Sequence, residues 1–267
     1  MVRQPAVAGQ FYTDDPRKLE EELGRLIRPV PAPRRATGII APHAGYIYSG
    51  AIAGAVYGSI AIPRTVVILG PNHHGLGAVA SLYPDGAWLS PLGEVPIEQR
   101  LSSLVLEQVP QVELDAIAHR FEHSLEVQVP FLRYLNSDVA IVPMCLGGGG
   151  YGWCRQVGEG LARAIAAYGE EVLIVASSDM THYESAESAR LKDEAALSCV
   201  LALDAEGLLK VCRQRGITMC GVIPSTVMLV AARELGASRA ELVRYGTSGD
   251  VTGDNRQVVA YAAVAVY

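Results

Sequence analysis

TVVILGPNHHG, residues 65–75, is a run of β-branched and aliphatic side chains stopped by Gly70-Pro71 and followed by Asn72, His73 and His74. An apolar run without polar alternation reads as a strand buried on both faces, with its polar residues kept for the loop beyond its carboxyl end. The plan recurs in GIIAPHAGY (38–46), VAIVPMCLGGGG (139–150) and EVLIVASSDMTHY (171–183). Helical stretches fall between these runs. SGAIAGAVYGSI (49–60) has Ser49 as its expected N-cap. WCRQVGEGLARAIAAYG (153–169) puts Val157, Leu161, Ala164, Ile165 and Tyr168 on one face. Two helices are expected over 186–203 and 204–214, and another within 219–236, begun by Pro224 and ended by Gly236. Around 123–135 a helix capped by Ser124 would have to kink at Pro130 or begin later. Residues 76–122 are less regular, enough for a strand or two and a helix. Two further strands enclose a polar loop at 247–256. Buried strands alternating with helices predict an α/β fold with the sheet covered on both faces. No linker or charge run divides the chain, so one domain over 1–267 is expected.

Composition narrows the function. The chain has 267 residues, half of them hydrophobic, and a net charge of −6. That balance argues against nucleic-acid and anionic-membrane binding. No apolar run is long enough to span a bilayer, and the N-terminus lacks the apolar core of a signal peptide. Five cysteines without regular spacing suit reduced thiols, and hence a cytoplasmic location. The Gly147–Gly150 run lacks the spacing of a phosphate loop, and no dinucleotide fingerprint follows a strand.

The chemistry collects at strand ends, where α/β proteins place their ligands. His43 follows GIIAP, His73 and His74 follow VVILGPN, and Asp179 and His182 follow VLIVASS. Small neighbours in APHAGY leave room for a ligand to approach His43. Adjacent His73 and His74 point to opposite sides of an extended chain, so one faces the site and the other supports it. Asp179, three residues before His182, suits acid–base work by fixing a tautomer or raising a pKa, and equally suits capping the following helix with His182 in its first turn. His123, in FEHSLEVQVPF, can enter the same site from outside the sheet. His119 has no such context and is expected at the surface. Cys220, in TMCGVIP before a helix, is expected to have a lowered pKa, as a thiolate ligand or nucleophile. Tyr46 and Tyr48 are either cleft or packing residues.

APHAGYIYSG, VVILGPNHHG, EHSLEVQVPFL, VLIVASSDMTHY and MCGVIP, in this order, resemble the Memo family, whose bacterial and archaeal members are called AmmeMemoRadiSam system protein B. The resemblance includes the opening PAVAGQFY and the closing strands. It implies a fold similar to the class III extradiol dioxygenases: a LigB-like three-layer α/β/α domain with a mixed central sheet. It implies a metal held by His43, His73 and Cys220, with His182 as the acid–base residue beside Asp179. His74, His123 and Tyr46 are then supporting or cleft residues. The dioxygenases carry a carboxylate where this pattern has a thiolate. Two imidazoles and a thiolate suit iron or copper, and zinc as well.

The leading expectation is therefore a metal-dependent oxidoreductase acting on a small molecule or peptide, with partner proteins of the AmmeMemoRadiSam system. The alternatives are a non-catalytic peptide- or small-molecule-binding protein that keeps the cleft, a Cys-dependent enzyme using Cys220, and a zinc hydrolase.

Overall fold

A computed structural model describes residues 1–267. The chain runs β1 (Val2–Arg3), α1 (Pro16–Leu26), β2 (Gly38–Ala41), α2 (Tyr46–Ser59), β3 (Thr65–Pro71), β4 (Ala80–Leu82), β5 (Ala87–Ser90), β6 (Gly93–Pro96), α3 (Gln99–Gln108) and β7 (Glu113–Leu114). A 3-10 turn (Glu126–Gln128) leads into α4 (Val129–Leu135) and β8 (Ala140–Leu146). Then come α5 (Tyr151–Tyr168), β9 (Val172–Ser177), β10 (His182–Glu184), α6 (Ala186–Leu201), α7 (Ala205–Arg215), α8 (Val222–Glu234), β11 (Ala240–Thr247), α9 (Gly249–Thr252) and β12 (Val258–Val266).

The main sheet is mixed and has nine strands in the order β10-β12-β2-β9-β3-β8-β4-β7, with β11 also on β12. Its centre, β2-β9-β3-β8, is parallel; β12 and β4 flank it antiparallel. β1, β5 and β6 form a separate small sheet.

All seven residues of β3 are buried, as the unbroken apolar run requires. Alternate side chains enter different cores: Val67 and Leu69 one, Val66 and Ile68 the other. The first core, of 45 residues, takes side chains from α3 and α5 to α8, such as Val105, Leu161, Leu197, Leu208 and Leu229. The second, of 31 residues, takes Leu19 and Leu23 of α1, Tyr57 of α2 and Leu132 of α4. The sheet therefore separates two helical layers, as the sequence predicts.

Local boundaries differ from the sequence reading. α2 begins at Tyr46, with Gly45 at the cap position; Ser49 lies inside the first turn and its hydroxyl donates to Ala44 O at 2.9 Å. The gain from burying Tyr46 against the core extends the helix past the polar residue that would have capped it. α4 starts at Val129, so Pro130 falls in the first turn, where its missing N–H is not needed. Pro224 likewise sits in the first turn of α8. Residues 76–122 hold four strands and α3, more strands than expected, because two- to four-residue strands carry no readable period. The loop at 247–256 contains the short α9. His182 lies in β10, not in the first turn of a helix, and the helix that follows is capped by Ser185.

Candidate metal centre

Three neighbouring parallel strands, β2, β9 and β3, end side by side and deliver His43, Asp179 with His182, and His73 to one crevice. The loop before the 3-10 turn brings His123 from outside the sheet, and the loop before α8 brings Cys220. The ligand nitrogens of His43, His73 and His123 lie within 4.8 Å of one another. His73 and His123 stack with centroids 4.9 Å apart, and His43 meets both edge-on. They line a cavity of about 830 Å³ shared with Asp179 and His182.

Hydrogen bonds fix which ring nitrogens face the cavity. His43 Nδ1 is 2.9 Å from Ser177 Oγ. That hydroxyl donates to Ser124 O at 2.6 Å and accepts from the Gln128 amide at 2.8 Å. It is left to accept from His43, so Nδ1 carries the proton and Nε2 offers a lone pair. Cys220 Sγ is 3.2 Å from that Nε2 and accepts the Asp179 N–H at 3.2 Å. His73 Nδ1 is 2.8 Å from Glu122 Oε1, and Glu122 Oε2 accepts the His73 backbone N–H at 2.7 Å. A carboxylate accepts, so this Nδ1 also bears the proton and Nε2 is free.

The electrostatics agree at His43 and His123 and run the other way at His73. Burial, reinforced by the neighbouring imidazoles, pushes the pKa of His43 well down and keeps it neutral. Burial also lowers His123, against the attraction of Glu122. At His73 burial lowers the pKa, but the hydrogen bond and charge of Glu122 outweigh it and the net shift is upward. Burial would raise Glu122, yet His73 and the Ser124 N–H hold its carboxyl well below the usual range. Asp179 is raised to about 6 by burial, against the His43 N–H it accepts at 2.8 Å.

Several sequence expectations are corrected. The Cys220 thiol is pushed up, not down, because burial and the Asp179 charge outweigh the N–H groups that point at it. His119 is fully buried between Tyr83 and Trp88, not on the surface. Asp179 does not orient the His182 ring: His182 Nδ1 lies 3.0 Å from Thr218 O and donates to it, leaving its Nε2 as acceptor. Tyr46 is buried, donates its hydroxyl to Val127 O at 2.7 Å, and does not line the cavity. His74 is exposed, with Nε2 3.0 Å from Phe121 O, and does not line it either. Glu122, Ser177 and Gln128 were not singled out by sequence. Glu122 beside His123 and Ser177 opening SSD were visible signals; Gln128 had none.

The donor set fits a first-row metal ion. Three imidazole nitrogens bound at about 2.1 Å around one tetrahedral ion sit about 3.4 Å apart, so nitrogens already within 4.8 Å of one another need to close by at most about 1.4 Å. Each locked Nδ1–H has the carboxylate or hydroxyl partner that ligating histidines use. Cys220 is not in the group of three, but its Sγ lies 3.2 Å from His43 Nε2, the ring nitrogen that the tautomer leaves unprotonated.

A family model described as Memo-like protein matches residues 3–265. A MEMO1 family protein of Methanopyrus kandleri is 40% identical over 278 residues, covering 99% of this chain and 98% of its own. One of Methanothermobacter thermautotrophicus is 42% identical over 274 residues, covering 98% and 99%. The crystal structure of an uncharacterized protein of Escherichia coli K12 superposes with a TM-score of 0.58 at 15% identity, covering 86% of this chain and 99% of that one. This last likeness concerns the fold alone.

Proposed function

The chain belongs to the Memo-like protein family, and from that membership we propose that it is a metal-dependent oxidoreductase resembling the class III extradiol dioxygenases. The observation that carries the reading is the pair of tautomerically locked histidines, His43 and His73, whose Nε2 atoms are left unprotonated and which line one cavity with His123. His43 and His73 hold the metal. Cys220 completes the set by its motif and its place against His43 Nε2; His123 is the competing third donor by position. An iron or copper ion held there supplies redox and Lewis-acid chemistry.

The chain's own residues do the rest. Glu122 and Ser177 hold the two imidazoles in register. His182, with Nδ1–H tied to Thr218 O, is set to accept a substrate proton at Nε2. Asp179 fixes the His43 backbone and adds negative charge beside the site. The substrate is a small molecule or peptide that fits the cavity. A thiol-nucleophile reading is disfavoured by the upward shift of Cys220. Five free cysteines suit a cytoplasmic protein, and no helix is long and apolar enough to cross a membrane.

The test is elemental analysis of anaerobically purified protein beside His43→Ala, Cys220→Ala and His123→Ala. Near-stoichiometric iron or copper, lost with His43→Ala and with Cys220→Ala but kept with His123→Ala, supports the reading. Full metal in Cys220→Ala and loss in His123→Ala replaces the thiolate with a third imidazole. No bound metal under any loading condition overturns it.

A further inference from the structure

Tyr183 is one of two non-glycine residues with positive φ, at 59°. A bulky side chain in the left-handed region is strained, and it persists only where its surroundings over-determine it. Here the cause is a β-bulge. β10 pairs with β12 through His182–Val259 and Glu184–Val258, so Tyr183 is the extra residue in the register. In a regular strand, consecutive side chains point to opposite faces; a bulge re-aims one of them. The result is that His182 and Tyr183, adjacent in sequence, both line the same cavity. His182 reaches inward and Tyr183, 74% exposed, stands at the mouth. Ile47 and Tyr48, at the start of α2, are also solvent-exposed and line the same cavity. Three large side chains left open to water at one cavity mouth form a surface with no partner inside the chain.

The walls add a second constraint. None of the 18 residues lining the cavity is Lys or Arg; its carboxylates are Asp179 and Asp254, the latter already paired at 2.7 Å with Arg256, which is not part of the lining. A ligand carboxylate or phosphate away from the metal-binding end would lose its hydration and meet no cation that is not already paired.

We propose that Tyr183 is a substrate-positioning residue, held at the cavity mouth by the bulge to grip a flat apolar body against Ile47 and Tyr48, and that this body is uncharged or cationic. This takes the histidine cavity as the binding site, as the metal reading does, but requires nothing of the metal. A ring clamped there keeps its polar end toward His182. The bulge thus uses backbone strain to put a proton-accepting side chain and a gripping side chain on one wall.

The test uses three matched probes with one phenol ring: tyramine, tyrosol and 4-hydroxyphenylacetate. Each is titrated calorimetrically into metal-stripped wild-type protein, Tyr183→Gly and Tyr183→Phe, with metal uptake measured on all three proteins. Tyramine and tyrosol should bind, with 4-hydroxyphenylacetate at least tenfold weaker. Tyr183→Gly should weaken tyrosol about tenfold, the scale of one lost aromatic contact. Tyr183→Phe should bind as wild type. Glycine prefers the left-handed region, so Tyr183→Gly should melt no lower than wild type, which a purely structural Tyr would not allow. Unchanged tyrosol affinity in Tyr183→Gly, or tighter binding of the anionic probe, overturns the proposal. Metal uptake is read separately: normal uptake in all three proteins leaves the metal reading standing whatever the probes do, and absent uptake sinks that reading while leaving this one to the titrations.

Discussion

Glu122 and His73 are joined twice: one carboxylate oxygen accepts the imidazole Nδ1–H at 2.8 Å and the other accepts the backbone N–H of the same residue at 2.7 Å. The ring and the main chain that carries it are thereby fixed by a single side chain from a different loop. That carboxylate is fully buried and also accepts the Ser124 N–H at 2.9 Å.

Glu122→Gln keeps the shape but turns one acceptor into a donor facing an N–H. Metal affinity should fall about 10- to 100-fold, the range for lost partners of ligating histidines. Competition with a chelator of known affinity measures it. Wild-type affinity in Glu122→Gln would mean that the double bond to His73 has no bearing on the metal.

Gly221 lets the Cys220 loop lie against the end of β9. A Cβ there would come within 2.3 Å of Ser177 O and 2.5 Å of Ser178 Cβ. Backbone cannot yield cheaply, so Gly221→Ala should destabilise the fold by roughly 1–3 kcal/mol and move Cys220. Urea denaturation gives the first effect; the rate at which iodoacetamide labels Cys220 in the folded protein gives the second. A variant that matches wild type in both would show that the loop has room to shift.

Arg3 and Glu126 form a buried ion pair at 2.8 Å, and Glu126 also accepts from Ala6 N, Val7 N and the Tyr12 hydroxyl. This network ties the N-terminal segment to the turn that follows His123. Arg3→Met leaves a buried carboxylate without its cation and should cost about 3–5 kcal/mol. The double variant Arg3→Met/Glu126→Gln should recover part of that loss. Additive losses in urea melts would contradict a coupled pair.

His119 is buried, and burial with the nearby Arg3 charge depresses its pKa to about 4. An unfolded histidine titrates near 6.5, so between about pH 4 and 6.5 the unfolded chain binds the extra proton. This residue's contribution to stability therefore rises with pH across that window and is flat above it. The full span is roughly 3 kcal/mol. His119→Gln should remove that part of the slope from a series of denaturation curves; an unchanged slope would assign it elsewhere.

The fold was legible wherever burial imposed a pattern. β3 and β9 are buried from end to end and mostly apolar because both faces meet core, and that pattern survives in one dimension. β4 to β7 are too short to show a period, and their pairing depends on distant partners such as β8 and β1. Ser49 looked like a cap because capping is local, yet the burial of Tyr46, a tertiary effect, placed the helix start earlier.

By itself the sequence determined the alternation of buried strands and helices, and which histidines stand at strand ends. Those follow from local periodicity and from the rule that polar residues collect beyond carboxyl ends. Only the tertiary structure decided that Glu122 and Ser177 lock the tautomers of His73 and His43, that Cys220 is buried enough to be raised rather than lowered, and that a bulge turns Tyr183 to the same cavity as His182. Tautomer, desolvation and register are set by atoms far apart along the chain, and no local pattern encodes them.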